Sequence, residues 1–203
     1  MPRIYAACLA SYNNGVLHGR WIEASSDVDA MQDEINAMLR GSKYPNVTVT
    51  CPDCDGHGGI IASGCDTCRG AGEVPSAEEW AMHDSEDLPS CFGEYPGLQA
   101  IADYVEFLED HDEHDEEDLK AIFEDYRNTD DAADAMENRF VTICASFKDY
   151  SDDCADEHIS SLTADGEAPQ FLVNYFDYEA FARDLKHDYN VIDVPSGVAI
   201  FHH

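Results

Sequence analysis

The sequence predicts an α+β protein, with small mixed domains at the two ends of the chain and an acidic helical stretch between them. Three observations carry that prediction. β-prone apolar runs lie near both termini, at Ile4 to Ala10 and Val16 to Ile22, then at Tyr189 to Val194 and Val198 to Phe201. Through the middle, apolar residues recur at helical spacing, first as Leu98, Ile101, Val105 and Leu108 and again as Leu119, Ile122, Phe123 and Tyr126. Residues 44–74 break both patterns. They hold six glycines and the clustered cysteines Cys51, Cys54, Cys65 and Cys68, and they read as a loop-rich insertion bracketed by Pro45 and Pro75.

Each element follows from local residue chemistry. Asn13-Asn14-Gly15 can turn the chain between the first two strands. A helix is expected from Asp27 to Leu39, with Ser26 as N-cap, Asp27 and Asp29 in the first turn and Gly41 as the stop. Glu78 to Asp84 alternates and predicts a third strand beside the N-terminal hairpin, and Leu88 to Pro96 reads as a loop. Residues 97–188 read as mostly helical, including a short helix from Asp130 to Asn138. Phe140 to Ala145 fits helix or strand, and Phe171 to Lys186 fits one or two helices. In that last segment Tyr175, Phe176, Tyr178 and Phe181 are expected to serve core and interface. Pro195-Ser196-Gly197 closes a terminal hairpin. These elements divide the chain into an N-terminal α+β domain over 1–96 with 44–74 inserted, an acidic helical domain over 97–139, and a C-terminal α+β domain over 140–203.

The chain has 203 residues and is 44 % hydrophobic, enough apolar mass to bury a core. Its charge is extreme: 43 acidic residues against 11 Lys and Arg, a net −32. That sign excludes direct binding of DNA, RNA or an anionic membrane, which use basic surfaces. No run of 18 apolar residues could span a bilayer, and the N-terminus lacks the long apolar region and cleavage site of a secretory signal, so a cytoplasmic protein is expected.

The acids are concentrated. Between Asp103 and Asp118 ten of 16 residues are acidic and none is basic: Asp103, Glu106, Glu109, Asp110, Asp112, Glu113, Asp115, Glu116, Glu117 and Asp118. Where this stretch is helical they fall between the apolar positions and are expected to face outward. Duplex DNA carries one charge per roughly 1.7 Å, so a charge of −32 matches roughly 54 Å of duplex, about 16 base pairs. An acidic protein of that density can occupy a DNA-binding groove, its carboxylates displacing the counterions of the groove's Lys and Arg as phosphates do. Other readings of the same composition stay open: a plain solvated face, or halophilic adaptation with Asp exceeding Glu and only four lysines. An EF-hand calcium loop fails because no acidic stretch has its glycine in register.

The cysteines form two copies of one motif. Cys51-Pro52-Asp53-Cys54-Asp55-Gly56-His57-Gly58 and Cys65-Asp66-Thr67-Cys68-Arg69-Gly70-Ala71-Gly72 both fit C-x-x-C-x-G-x-G. Two such knuckles can give zinc a closed tetrahedral site of four cysteines, a structural ion at one per chain, with no open position for catalysis. The glycines let backbone N–H groups approach the sulfurs. His57 could replace one cysteine as a ligand, but with four cysteines present it is expected to be exposed or to lie outside the ligand set. A thioredoxin-like redox pair is the rival reading, and it needs a single C-x-x-C at a helix start. The module resembles the DnaJ-type cysteine-rich repeat in miniature, with two motif copies and no J-domain signature. The remaining cysteines, Cys8, Cys91, Cys144 and Cys154, are scattered and read as small apolar residues.

Several segments together resemble the ArdA-type antirestriction proteins. They are Pro2 to Gly15, Leu17-His18-Gly19-Arg20-Trp21-Ile22, Glu78-Glu79-Trp80-Ala81-Met82-His83-Asp84, and Phe176 to Leu185. The resemblance covers nearly all of the chain outside 44–74. It implies an elongated, three-domain, acidic homodimer, encoded on a mobile genetic element, that mimics bent B-form DNA. Such a protein binds the DNA groove of the methyltransferase core of type I restriction-modification enzymes. The resemblance places the dimer contact within residues 140–203. It implies a surface of distributed carboxylates and no catalytic residue.

Enzyme motifs are missing. His111-Asp112-Glu113-His114 is not H-E-x-x-H, and its histidines read as solvated; there is no P-loop, G-x-G-x-x-G or G-x-S-x-G. The alternative to a DNA mimic is an adaptor or chaperone-like module whose zinc knuckles bind a protein partner and whose acidity only solubilises it.

Overall fold

The computed structural model describes residues 1–60, 64–161 and 170–203. Helices and small antiparallel sheets make a mixed α+β fold, as expected. The chain forms two compact units, Met1–Glu106 and Phe107–His203.

The first unit contains β1 (Arg3–Cys8), α1 (Leu9–Asn13), β2 (Gly19–Glu23), α2 (Val28–Arg40), β3 (Val47–Thr50), β4 (Glu73–Ser76), β5 (Trp80–Glu86) and the start of α3 (Leu98–Asp110). β1 is the central strand of an antiparallel sheet ordered β2-β1-β5. The third strand therefore joins the N-terminal pair as its alternation predicted. Ile4, Ala6 and Ile22 are buried on one face of this sheet, and α2 packs against β1 and β2 with Met31, Ile35, Met38 and Leu39 buried.

Two local expectations are corrected. β1 ends at Cys8, and Leu9 and Ala10, expected to continue the strand, instead open the short helix α1 that runs to Asn13. Tertiary bonds account for this: the Leu9 N–H donates to the Glu79 carbonyl at 3.1 Å, and the buried Ser11 hydroxyl lies 2.9 Å from that of Ser42. The α2 cap is Asp27, not Ser26; its Oδ1 accepts from the Ala30 N–H at 3.0 Å. A carboxylate one position along competes successfully for the cap because it accepts a charge-assisted bond. The hairpin β3–β4 was not legible as strands. It is a two-stranded ladder in which Thr48 faces Pro75, a residue that such an edge tolerates.

The second unit contains the rest of α3, α4 (Glu116–Tyr126), α5 (Thr129–Asn138), β6 (Phe140–Cys144), α6 (Phe147–Ser161), α7 (Gln170–Tyr175), α8 (Tyr178–Leu185), β7 (Tyr189–Val194) and β8 (Gly197–His202). Residues 140–144 are a strand, and the sheet order is β6-β8-β7. β8 is central, so Ala199, Ile200 and Phe201 are fully buried, and α4 packs against β7. The aromatic segment is not core: α8 buries no residue and Tyr175 is 88 % exposed, while Phe176 packs on Tyr178 and Phe181 at 5.0 and 5.5 Å. Among the described residues, no helix is long and apolar enough to cross a membrane.

The β7–β8 turn is held from α4. Asp118 is buried, and its carboxylate accepts from both the N–H and the hydroxyl of Ser196. Asp118→Ala removes both hydrogen bonds that tie the exposed Ser196 turn to α4 and empties a buried position, and it is expected to cost about 1–2 kcal/mol of stability in urea unfolding, against about zero for the exposed Asp112→Ala.

Candidate metal centre

The hairpin carries the cysteine module. Both knuckles leave its ends, and the Cys51 N–H donates back to the Gly72 carbonyl at 2.9 Å, closing the loop between strands. Cys51, Cys54, Cys68 and Val74 form a small buried cluster, against which Val49 and Cys65 pack.

The two motif copies adopt matching backbones. Asp55, Gly56 and Gly58 in the first, and Arg69, Gly70 and Gly72 in the second, all have positive φ. The last glycine of each copy does two things. Its N–H donates to the sulfur four residues earlier, Gly58 to Cys54 and Gly72 to Cys68, both at 3.3 Å. Its missing side chain also lets the opposite knuckle in: a Cβ at Gly58 would lie 2.6 Å from the Gly70 carbonyl oxygen, and one at Gly72 would lie 2.6 Å from that of Gly56.

This interlocking brings the four sulfurs together. The ligand atoms of Cys51, Cys54, Cys65 and Cys68 all lie within 4.8 Å of one another, and this set could hold a metal ion. The Cys51–Cys65 and Cys54–Cys68 sulfur separations are 3.8 and 3.7 Å. A tetrahedral ion with metal–sulfur bonds of about 2.3 Å requires edges of about 3.8 Å, so the donor set fits. His57 stands outside it, exposed, with Nδ1 2.8 Å from the Cys54 carbonyl oxygen. None of the eight cysteines is in a disulfide; Cys8 is buried, but Cys91 is exposed and Cys144 and Cys154 are intermediate.

The sulfurs are not electrostatically equal. Burial pushes the Cys51 thiol up to about 12. At Cys54 the Gly58 N–H opposes the rise, but burial and the Cys68 and Cys65 thiols push the group up. At Cys68 burial acts against the thiolate, yet the Gly72 and Gly70 N–H groups and the neighbouring thiols outweigh it and bring the group down to about 7. A metal must displace the remaining protons, so its affinity falls as pH falls.

The acidic stretch is distributed over both units. In the first, Asp103 is half-buried, accepting from the Gln99 side chain at 2.7 Å, and Glu106 is exposed. In the second, Glu109, Asp110, Asp112, Glu113, Asp115, Glu116 and Glu117 are exposed, and Asp115 caps α4. Asp118 departs from the outward-facing expectation, being only 3 % exposed. It lies four residues before Ile122 and one before Leu119, on the buried side of α4. His111 and His114 are not freely solvated either: each is half-buried with its ring on a phenylalanine, Phe107 at 4.8 Å and Phe140 at 4.9 Å.

The crossing glycines give a sharp test. Gly58→Ala and Gly72→Ala are each expected to weaken metal binding at least tenfold in a chelator competition, while Gly64→Ala, whose Cβ would meet nothing within 4 Å, serves as the control for a positive-φ glycine. Raising the pH is expected to tighten binding in the unmodified chain.

The family model described as antirestriction protein (ArdA) matches residues 4–199, a span that includes both knuckles. Comparison with curated proteins returned no match. The family match runs over almost the whole chain, and both compact units lie largely within it. With the acidic surface and the mixed α+β fold in place, the chain belongs to the ArdA antirestriction protein family.

Proposed function

We propose that this protein is a non-catalytic, stoichiometric mimic of DNA that blocks type I restriction-modification enzymes by filling the DNA groove of their methyltransferase core. Family membership combined with a net charge of −32 is the observation that carries the reading. Exposed carboxylates present to the enzyme's Lys and Arg what phosphates present, and association releases the counterions held there. The acids from Asp103 to Glu117 are the leading contributors; buried Asp118 contributes structure instead. In this reading the chain acts in the cytoplasm of a cell receiving a mobile element. It works as a homodimer joined through residues 140–203, and its three segments 1–96, 97–139 and 140–203 lay charge along the groove.

The metal is zinc, one ion per chain. An all-thiolate donor set with tetrahedral spacing favours zinc over hard cations such as calcium and magnesium. The ion supplies structure: it ties the two knuckles and, through them, the β3–β4 hairpin.

The test is titration of the purified protein into a type I restriction-modification enzyme holding a labelled duplex, at two salt concentrations. Displacement near one dimer per groove, weakening severalfold or more at the higher salt, is the expected result. Absence of displacement at low salt by folded, zinc-loaded protein overturns the reading for that enzyme. Elemental analysis is expected to return one zinc per chain.

A further inference from the structure

The register of the first sheet assembles a surface that the linear sequence does not reveal. Arg3 pairs with Glu23 on one side and Glu86 on the other; Tyr5 pairs with Trp21 and Asp84. Directly opposed residues share a face, and so do residues two apart on one strand. Six side chains therefore form two rows on one face, Glu23-Arg3-Glu86 and Trp21-Tyr5-Asp84. All six are half-buried or exposed, whereas Ile4, Ala6 and Ile22 on the opposite face are buried.

These side chains hold one another in place. The Arg3 guanidinium lies 5.0 Å from the centre of the Trp21 ring and donates to Glu86 at 2.6 Å. The Tyr5 and Trp21 rings meet edge to face at 5.5 Å. Gly19 makes room for this: a Cβ there would stand 2.8 Å from the Tyr5 ring. Trp, Tyr and Arg are the residues that most often dominate binding energy, and a cluster already locked by its neighbours loses little freedom when a partner arrives.

We propose that this face is an anchor that grips the Lys- and Arg-rich DNA-binding surface of the target enzyme, with the Tyr5–Trp21 pair as its apolar contact. The inference rests on the DNA-mimic reading and deepens it. Charge complementarity selects the occupant. Three carboxylates, Glu23, Asp84 and Glu86, flank the aromatic pair, and the single cation among these six residues is already engaged by Glu86. A cationic partner therefore meets flanking carboxylates and aromatic rings, and rings also attract ammonium and guanidinium groups. Carboxylates spread over the rest of the chain supply attraction that salt screens. The anchor supplies packing that salt screens far less.

The experiment is the same duplex-displacement titration, run at low and high salt with the full chain and two variants, Trp21→Ala and Asp84→Lys. Thermal melting, metal content and sedimentation accompany each variant. Folded Trp21→Ala is expected to compete about 10- to 100-fold less well, with the larger loss at high salt, where the anchor carries a greater share of the affinity. Asp84→Lys changes a side chain outside the aromatic pair and is expected to weaken competition at least tenfold; it decides the matter if Trp21→Ala fails to fold. Competition within twofold of the unmodified chain by either folded variant overturns the anchor. A variant that changes the oligomeric mass assigns the face to a second copy of the chain and also overturns it. Failure of the unmodified chain to displace duplex strikes the DNA-mimic reading itself.

Discussion

Repulsion among 43 acidic side chains is the constraint to which the rest of this structure answers. With only 11 Lys and Arg to offset them, ion pairing cannot neutralise the chain, and the pairs that form, such as Arg3–Glu86 and Arg20–Glu34, are solvent-exposed and individually weak. The carboxylates are instead placed where they cost least. Asp27, Asp115 and Asp177 cap α2, α4 and α8, where they accept backbone N–H bonds at the positive ends of helix dipoles. Among the described residues most of the others are exposed, on helix faces and on loops and strand edges. Among the described residues the one buried exception, Asp118, satisfies two donors at once.

Cohesion then falls to small, tightly bounded cores. α2 covers one face of the first sheet, and in the second unit α4 packs against β7, beside the central strand β8. Around the cysteines the buried cluster is too small to order some thirty residues by apolar burial alone, which is where a metal contributes most. The two knuckles interlock through glycines whose missing Cβ atoms let carbonyl oxygens through, so the close approach of their backbones and the gathering of the four sulfurs rest on the same residues.

Charge and packing have separate uses in recognition. Distributed carboxylates steer a basic partner from a distance and respond to salt; a rigid aromatic face fixes orientation at contact. In the binding mode proposed for this chain, the first is spread over both units and the second sits on the β2-β1-β5 sheet. The segment Leu17-His18-Gly19-Arg20-Trp21-Ile22 contributes to both faces of that sheet, Ile22 inward and Trp21 outward. Its pattern therefore answers to more than the core.

Much of this was legible in the linear chain because the relevant physics is local. Helical spacing of apolar residues marked α3 and α4, alternation marked β5, Pro195-Ser196-Gly197 marked the last hairpin, and doubled C-x-x-C-x-G-x-G marked the four sulfurs. Composition alone set the charge. What only the tertiary structure decided depends on partners distant in sequence. Residues 9–13 became helix through bonds to Glu79 and Ser42, residues 140–144 became strand because β8 offered an edge, and Asp118 turned inward to meet Ser196, 78 residues away. The Arg3-Tyr5-Trp21 face arises from strand register, which no single segment encodes. Spacing within a segment specifies which side chains share a face; which faces meet is settled only when the chain closes its loops and pairs its strands.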